Sequence, residues 1–412
     1  MTEHSEAPAT ATAALREAWA EYHDTLESLR EEMENARQFQ IVPEQRGLAY
    51  WQLMQIQAQA YNFAVGPRTA EPRVFHNTSW QTDLYTIGGN GPDFDYRCLF
   101  LDGRHTYVLR GNINDTRMAV AQVNSAVPGQ PHSRCIANYD FADFTREKNG
   151  SFEIVISAEK HEGNWMQLDA QSDYHWLLVR PTVETSAETP ASFSIERVSP
   201  ILSGRTELEE FSEEAIARRI GFAVNFMRFA IIDWSIGYWN LVLKNSEGRY
   251  NEFVAFNVVE AGELGSPAAQ YLQVCYQVDE EEALVIEMDE EPVAEYWSFE
   301  LFDVWQNPLF FRTRRSALNG KQVRPDPDGK IRIVLSERDP GYLNWLDNAG
   351  FSMGQVIWRN YKSQRDVGHR IYRVKLSNLS SKMHPKAERT DPAERLRELA
   401  ERKEGYRLRH HE

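Results

Sequence analysis

Apolar residues recur at helical spacing at both ends of the chain and in its middle, and at the spacing of short strands elsewhere. Between residues 11 and 36 an apolar residue returns every three or four positions: Leu15, Trp19, Tyr22, Leu26 and Leu29. This stripe predicts an amphipathic helix, and residues 47–65 predict a second one. We expect a helical arm over 1–70 and a tail over 376–412, with a short charged helix capped by Asp391.

Strand-like segments fill most of the remaining chain. Residues 96–113 form two short apolar runs around Asp102-Gly103, a hairpin signal because this pair tolerates the backbone of a tight turn. Similar runs, rich in β-branched and aromatic residues, continue to about Val198 and resume after residue 247. We expect β units over 71–198 and 247–375.

A helix is predicted between the two β units, within residues 199–246. Ser212 is its expected N-cap, followed by two glutamates in the first turn. Residues 220–239 are long enough to span a membrane, but polar side chains interrupt them: Asn225, Arg228 and Asp233. Each charged side chain would cost roughly 2.5–3.5 kcal/mol in a bilayer. We therefore expect a buried helix that runs into a strand.

The two β units look like copies of one another. Trp165 and Trp345 both follow an Asn and are 180 residues apart, and the turn glycines Gly150 and Gly329 are 179 apart. Pairing Cys98 with Cys275 gives 177, and small slips of this kind are expected from loop insertions. The sequence therefore predicts a mainly β protein with accessory helices, made of two duplicated antiparallel, jelly-roll-like β-sandwich units joined by a buried helix.

Charge and cysteine content narrow the classes of partner. The net charge is −16, spread along the chain, which disfavours nucleic acid and anionic membrane surfaces as partners. Three cysteines are too few for a disulfide framework in 412 residues. The N-terminus has no basic segment followed by an apolar one, so we expect no secretory signal and a cytoplasmic protein.

Common cofactor and catalytic motifs are missing from the sequence. It has no zinc-protease or Cys-x-x-Cys motif, no phosphate-binding glycine loop and no nucleophile elbow. We expect no cofactor and no metal. A metal-dependent enzyme would need ligands that the fold brings together from scattered histidines: His105, His132, His161 and His175.

The first candidate site is the glycine-rich stretch 86–98. Its glycines allow close approach of backbone to a ligand, beside Asp93, Asp95 and Tyr96. A carboxylate pair can perform acid–base chemistry if burial raises one pKa. The alternative is a solvated turn.

The second group of candidates lies around the central helix. Arg228 and Asp233 are charged residues in an apolar stretch, where perturbed groups mark candidate sites, although a structural ion pair is the alternative. Aromatic residues suited to a flat ligand follow at once: Trp234, Tyr238 and Trp239. His175 is a candidate general base in the first β unit. The alternative is that these aromatic residues belong to the core, which is the more common role of such side chains.

The second unit resembles a bacterial family of unknown function, numbered 1214. The resemblance lies in residues 296–359, in a set of shared positions: Tyr296, Trp297, Asp328, Gly329, Asn344, Trp345, Asp347, Gly350 and Arg359. The earlier stretch is similar too, through Gly88, Gly89, Pro92, Asp93 and Tyr96, with Gly91 where an Asn is usual. The resemblance covers about residues 70–375. It implies a jelly-roll sandwich without an established activity, common in lineages that degrade steroids, terpenoids and aromatics.

The sequence thus leads to two functional hypotheses. One is binding of a small, largely apolar metabolite between the β units or under the central helix, with possible acid–base transformation by Asp93, Asp95, Asp233 or His175. Arg228, Tyr96 and the three aromatic residues of the central helix would orient the ligand. The other is a non-catalytic binding or homo-oligomeric assembly protein that uses the helical arm.

Overall fold

The computed structural model describes residues 11–76, 89–185, 187–199, 207–256, 266 and 268–409. The helices within these residues are α1 Ala13–Asn35, α2 Arg37–Ile41, α3 Arg46–Ala60, α4 Glu213–Arg228, α5 Gly237–Asn245 and α6 Pro392–Arg409. Wider π-helical turns extend α3 over Tyr61–Val65 and join α4 to α5 over Phe229–Ile236.

Nine strands of each β unit lie within the described residues. The first unit contains β1 Phe75–His76, β2 Arg97–Leu101, β3 Tyr107–Asn112, β4 Ala119–Asn124, β5 Cys135–Asp140, β6 Ser151–Ser157, β7 Trp165–Gln167, β8 His175–Pro181 and β9 Ser192–Arg197. The second contains β10 Val254–Phe256, β11 Ala269–Gln277, β12 Glu282–Met288, β13 Tyr296–Phe302, β14 Ala317–Asn319, β15 Ile331–Ser336, β16 Trp345–Asp347, β17 Met353–Tyr361 and β18 His369–Lys375.

The two units have the same sheet topology. The first pairs its strands in the orders β1-β2-β8-β4-β5 and β7-β6-β3-β9. Adding nine to each number gives the sheets of the second unit, β10-β11-β17-β13-β14 and β16-β15-β12-β18. All pairs are antiparallel except β6–β7 and β15–β16. The predicted mainly β fold with duplicated units is confirmed.

The repeated Asn-Trp pair has the same role in both units. The Asn164 side chain bonds the main chain of residues 145 and 153, and the Asn344 side chain bonds that of residues 324 and 332. The Trp that follows each Asn donates its indole N–H to a serine four residues past the second of these main-chain positions, Ser157 in the first unit and Ser336 in the second. These contacts pin the loop that leads into the short parallel strand.

The strand register corrects one of the predicted residue equivalences between the two units. Cys98 lies opposite Leu178 on β8, and Gln273 lies opposite Ile357 on β17. With Arg180 and Arg359 at equivalent positions, the counterpart of Cys98 is therefore Gln273. The predicted equivalence with Cys275 is wrong by two residues, which is one step along the same face of the strand.

Three main apolar cores hold the chain together. Each sandwich has its own interior. The third core is formed by the other faces of the two five-stranded sheets together with the helices, and includes Trp176, Trp239, Tyr296 and Trp305. The helical arm and the central helix are therefore part of the fold and fix the surroundings of both five-stranded sheets.

The central helical segment differs in part from the expectation. Ser212 accepts a hydrogen bond from the Ala215 N–H, as expected of an N-cap. The segment stays helical to Asn245, so the predicted strand at its end is wrong. The segment is not buried on all of its sides. Ile232 is 41% exposed, whereas Trp239 on another side is fully buried.

Asp391 caps α6 through bonds from Ala393 and Glu394, as predicted. Further along α6, Tyr406 donates a hydrogen bond to the Pro92 carbonyl in the first unit. None of the helices among the described residues is long and apolar enough to cross a bilayer.

Candidate functional site

A polar layer lies where the second five-stranded sheet faces the segment that precedes β2. Arg359 on β17 donates to Glu300 on β13 at 2.8 Å and to the Gly89 carbonyl. In the first unit the equivalent Arg180 donates to Gln122 on β4 at 2.9 Å. All four side chains are buried, and burial raises the pKa of the Glu300 carboxyl although Arg359 opposes the shift. The duplication has therefore kept an arginine and its partner in both sheets.

The predicted acidic pair lies beside this layer, but its members have different partners. Asp93 accepts hydrogen bonds from Tyr296 at 3.1 Å and Asn319 at 2.8 Å, both in the second unit. Asp95 forms an ion pair with Arg97 at 2.5 Å. Both carboxylates are buried, so the solvated-turn alternative does not describe this segment. Asp93 therefore links the two units, whereas the ion pair of Asp95 lies within the first unit.

Tyr96 is also buried, and its hydroxyl accepts a hydrogen bond from the Gly91 N–H at 3.2 Å. Burial raises the pKa of Tyr96, with Arg359 and Arg180 both acting against the shift. Gly88 lies outside the described residues. At Gly91 an added Cβ would come within 2.8 Å of the Glu300 carboxylate, so a glycine is required there for this close packing.

The central helix brings two of the predicted aromatic residues to the same layer. The rings of Trp234 and Tyr238 lie 4.7 Å apart, and the Tyr238 hydroxyl accepts a hydrogen bond from Gln273. Trp239 is fully buried in the third core, between the two five-stranded sheets and the helices. Several buried polar atoms here have no hydrogen-bond partner among the described residues: Trp234 Nε1, Gln273 Oε1, Gln306 Oε1 and Gln355 Nε2.

Arg228 and Asp233 lie away from this layer. Arg228 contacts Glu21 at 3.2 Å and Thr25 at 3.1 Å on α1, so it fastens two helices. Asp233 is solvent-exposed, although partial burial raises the pKa of its carboxyl. The structure does not bring Asp233 together with the other predicted carboxylates.

His175 is held by main-chain groups on both sides of its ring. Its Nε2 accepts from the Asp169 N–H at 2.9 Å, and its Nδ1 lies 3.2 Å from the Leu101 carbonyl. Burial lowers its pKa, which keeps the imidazole neutral. This arrangement favours a structural role over that of a general base, since neither nitrogen is left for a ligand.

A pocket of about 220 Å³ opens elsewhere, at the edge of the second unit. Helix α3 forms one wall and the loop between β13 and β14 forms the other. Its lining is mostly apolar: Leu48, Trp51, Gln55, Asp303, Asn307, Pro308, Leu309, Phe310, Phe311, Arg312, Thr313 and Phe351. Sequence reasoning missed this pocket, and none of the predicted site residues lines it.

The β13–β14 loop is shaped by Asp303. Its Oδ1 accepts from the main-chain N–H groups of Trp305 at 2.8 Å and Asn307 at 2.9 Å, and its Oδ2 accepts from Asn307 Nδ2 at 2.9 Å. Gln306 and Phe310 in this loop adopt φ angles of 73° and 41°. Such angles are strained for bulky residues and persist only where the surroundings impose them.

A residue of the helical arm fastens this loop. Gln45 donates from its side chain to the Met353 carbonyl at 2.7 Å and accepts from the Val304 N–H at 3.0 Å. Its own carbonyl accepts from the Trp305 indole at 3.1 Å. The arm therefore sets both the α3 wall and the position of the opposite loop.

Asp303 has the electrostatic character of a functional carboxyl. It is 2% exposed, and burial raises its pKa to about 6 against the opposing hydrogen bonds from Asn307 and Trp305. A perturbed carboxyl in a cleft is a candidate for binding or proton transfer. Its sequence signal was an acidic residue directly after an apolar strand, followed four positions later by Asn307 and then Pro308.

No group of three or more His, Cys, Asp or Glu side chains among the described residues is arranged to hold a metal ion. Among the mostly apolar walls of the pocket, the polar side chains are those of Gln55, Asp303, Asn307, Arg312 and Thr313.

The fold and this geometry define a protein of two jelly-roll-like β units with a helical arm that completes a pocket. A family model described as "Protein of unknown function (DUF1214)" matches residues 95–180 and 276–365. The two matched regions lie one in each β unit, and the predicted resemblance is confirmed.

Solved structures include a relative over nearly the whole chain. An uncharacterised protein from Burkholderia cenocepacia is 25% identical, with a TM-score of 0.79, over 90% of this chain and 100% of that one. A protein from Vibrio parahaemolyticus is 12% identical, with a TM-score of 0.46, over 78% of this chain and 97% of that one. No curated protein matches the sequence significantly.

Proposed function

We propose that this protein binds a small, largely apolar molecule in the pocket between α3 and the β13–β14 loop. The observation that carries the proposal is an apolar-walled cavity containing a buried carboxyl, Asp303, whose pKa is raised to about 6. Ligand sites in proteins combine mainly apolar walls with a few placed polar groups. This pocket has that composition.

The volume narrows the ligand class. An engineered cavity of about 150 Å³ lined by aliphatic and aromatic side chains binds benzene, and sites for drug-sized ligands start near 300 Å³. A pocket of about 220 Å³ suits one substituted ring or a molecule of monoterpenoid size. Of the classes expected from the sequence, small aromatics and terpenoids fit this volume better than steroids.

Acid–base chemistry at this site is a second proposal. A carboxyl with a pKa near 6 is largely ionised at pH 7 yet basic enough to accept a proton from a bound molecule. Asp303 takes the place that Asp93 and Asp95 held in the sequence-based hypothesis, because Asp303 lines the pocket and those two carboxylates do not.

Assembly through the helical arm is favoured by a separate observation. Helix α3 and the turn that follows it expose large apolar side chains: Tyr50 at 46%, Trp51 at 49%, Met54 at 66% and Tyr61 at 59%. Trp51 also lines the pocket. A second copy seated here would shield the pocket mouth, so assembly and binding are compatible.

Titration calorimetry with 4-ethyltoluene tests the binding proposal. We expect binding to the unaltered protein and loss of binding in Leu48→Trp, because the larger side chain would fill the pocket from α3. Leu396→Trp is the matched control, since Leu396 is 69% exposed on α6 and does not line the pocket. Equal binding by the Leu48 variant would refute the proposed site, and native mass spectrometry of the same samples would report assembly.

A further inference from the structure

We propose that the pocket recognises a hydroxyl group, so that its ligand is a phenol or alcohol on an apolar body. Asn307 Oδ1 accepts the hydroxyl hydrogen, and Asp303 lies beside it. The inference rests on the proposed function, because it concerns the same pocket.

The central observation is an acceptor without a partner. Asn307 lines the pocket and is 7% exposed. Its Oδ1 is buried and receives no hydrogen bond from any residue of the described ranges. Buried polar atoms are nearly always paired, and an unpaired one is a costly exception that needs an explanation. A ligand donor supplies the missing bond.

The orientation of the Asn307 amide is fixed by its neighbour. Asp303 in its ionised form only accepts hydrogen bonds, so Asn307 must turn its Nδ2 toward Asp303 Oδ2, where the two atoms lie 2.9 Å apart. The amide oxygen must then point away from Asp303. The usual ambiguity between the amide oxygen and nitrogen is thereby removed.

The pocket favours a neutral donor over a charged one. An ammonium group would lose its hydration among walls that are mostly apolar, and the one carboxylate in the lining, Asp303, is accompanied by the cationic Arg312. A carboxylate ligand would place its charge beside Asp303 and next to an acceptor that has no hydrogen to offer. A hydroxyl group is neutral and carries a hydrogen, so it avoids both the loss of ionic hydration and the repulsion by Asp303.

The test compares 4-ethylphenol with its methyl isostere 4-ethyltoluene and with 4-ethylbenzoate, by titration calorimetry at pH 8. We expect the unaltered protein to bind 4-ethylphenol about tenfold more tightly than 4-ethyltoluene, as one hydrogen bond would give, and 4-ethylbenzoate least well. In Asn307→Leu the tenfold preference should vanish while the 4-ethyltoluene affinity stays within about threefold.

A second variant keeps the test valid if Asn307→Leu fails to fold. In Asp303→Asn the Asn307 amide can rotate and accept from the new amide at position 303, which turns Nδ2 toward the ligand. Nδ2 would then donate to any acceptor, so a ligand without a hydroxyl hydrogen should lose its disadvantage. We expect the unaltered protein to bind 4-ethylanisole about tenfold less tightly than 4-ethylphenol, and Asp303→Asn to bind the two about equally.

The outcomes separate the two proposals. Equal affinities for 4-ethylphenol and 4-ethyltoluene in the unaltered protein, or tightest binding of 4-ethylbenzoate, would overturn the hydroxyl inference and leave the pocket standing. A preference for 4-ethylphenol over 4-ethyltoluene that survives in Asn307→Leu would also overturn it, as would an unchanged preference for 4-ethylphenol over 4-ethylanisole in Asp303→Asn. Absence of binding by every compound would remove the proposed function itself.

Discussion

Asp303→Asn is expected to change the pH dependence of stability. The folded protein raises the pKa of Asp303 from 3.8 to about 6 through burial. A folded-state pKa above the unfolded one means that the folded state binds the proton more tightly. The contribution of this carboxyl to stability is therefore full below pH 3.8 and is lost as the pH rises through 6.

The size of the effect follows from the two pKa values. Each pKa unit corresponds to about 1.36 kcal/mol, so a shift of about two units amounts to roughly 3 kcal/mol in total. Between pH 4.5 and 7.5 the linkage relation gives a loss of about 2 kcal/mol for the unaltered protein. Asparagine cannot ionise, and the Asn307 amide can rotate to bond it, so the variant should lack this loss.

Urea unfolding followed by circular dichroism, on both proteins at pH 4.5, 6.0 and 7.5, measures the difference. At each pH we take the free energy of unfolding of the variant minus that of the unaltered protein. We expect this difference to be about 2 kcal/mol more positive at pH 7.5 than at pH 4.5. A difference that stays constant within about 0.5 kcal/mol would show that Asp303 titrates like a solvated carboxyl. The argument for a functional carboxyl in the pocket would then be lost.

Substitutions at three further sets of contacts are tested by urea unfolding at pH 7.5. Gln45→Leu leaves two buried main-chain groups without hydrogen-bond partners and should lower the free energy of unfolding by about 2–4 kcal/mol. A loss below about 1 kcal/mol would mean that Gln45 does not hold the loop in place. Arg359→Met should cost about 3–5 kcal/mol by leaving Glu300 buried without its cation, and adding Glu300→Gln should recover part of it; no recovery would argue against this ion pair. Asn344→Ala should destabilise more than Asn164→Ala, because Asn344 is the more deeply buried of the two, and equal costs would contradict this ranking.

The repeat was predictable because its signals are local. Turn glycines need a left-handed backbone, and Gly150 and Gly329 have φ of 86° and 82°. The Asn-Trp pairs bond main chain within about 20 residues of themselves. Such short-range requirements leave residue types at fixed offsets, and these offsets survive when the sequence between them diverges.

The pocket was not predictable, because its character comes from distant segments. Asp303 follows an apolar strand, but its burial depends on Gln45 and Leu48, more than 250 residues earlier in the chain. His175 shows the converse: a residue type suited to catalysis whose nitrogens both meet main chain. Sequence alone supplies the residue type and the face of the strand, and the tertiary contacts decide which side chain meets a cavity.

A crystal structure of the protein with 4-bromophenol tests the central claim most directly, since the anomalous signal of bromine locates the ligand without assumptions. We predict a bromine peak between α3 and the β13–β14 loop, with the phenol oxygen about 2.7–2.8 Å from Asn307 Oδ1. A peak in the polar layer beside Trp234, or none within the protein, would contradict the assignment of the pocket as the binding site.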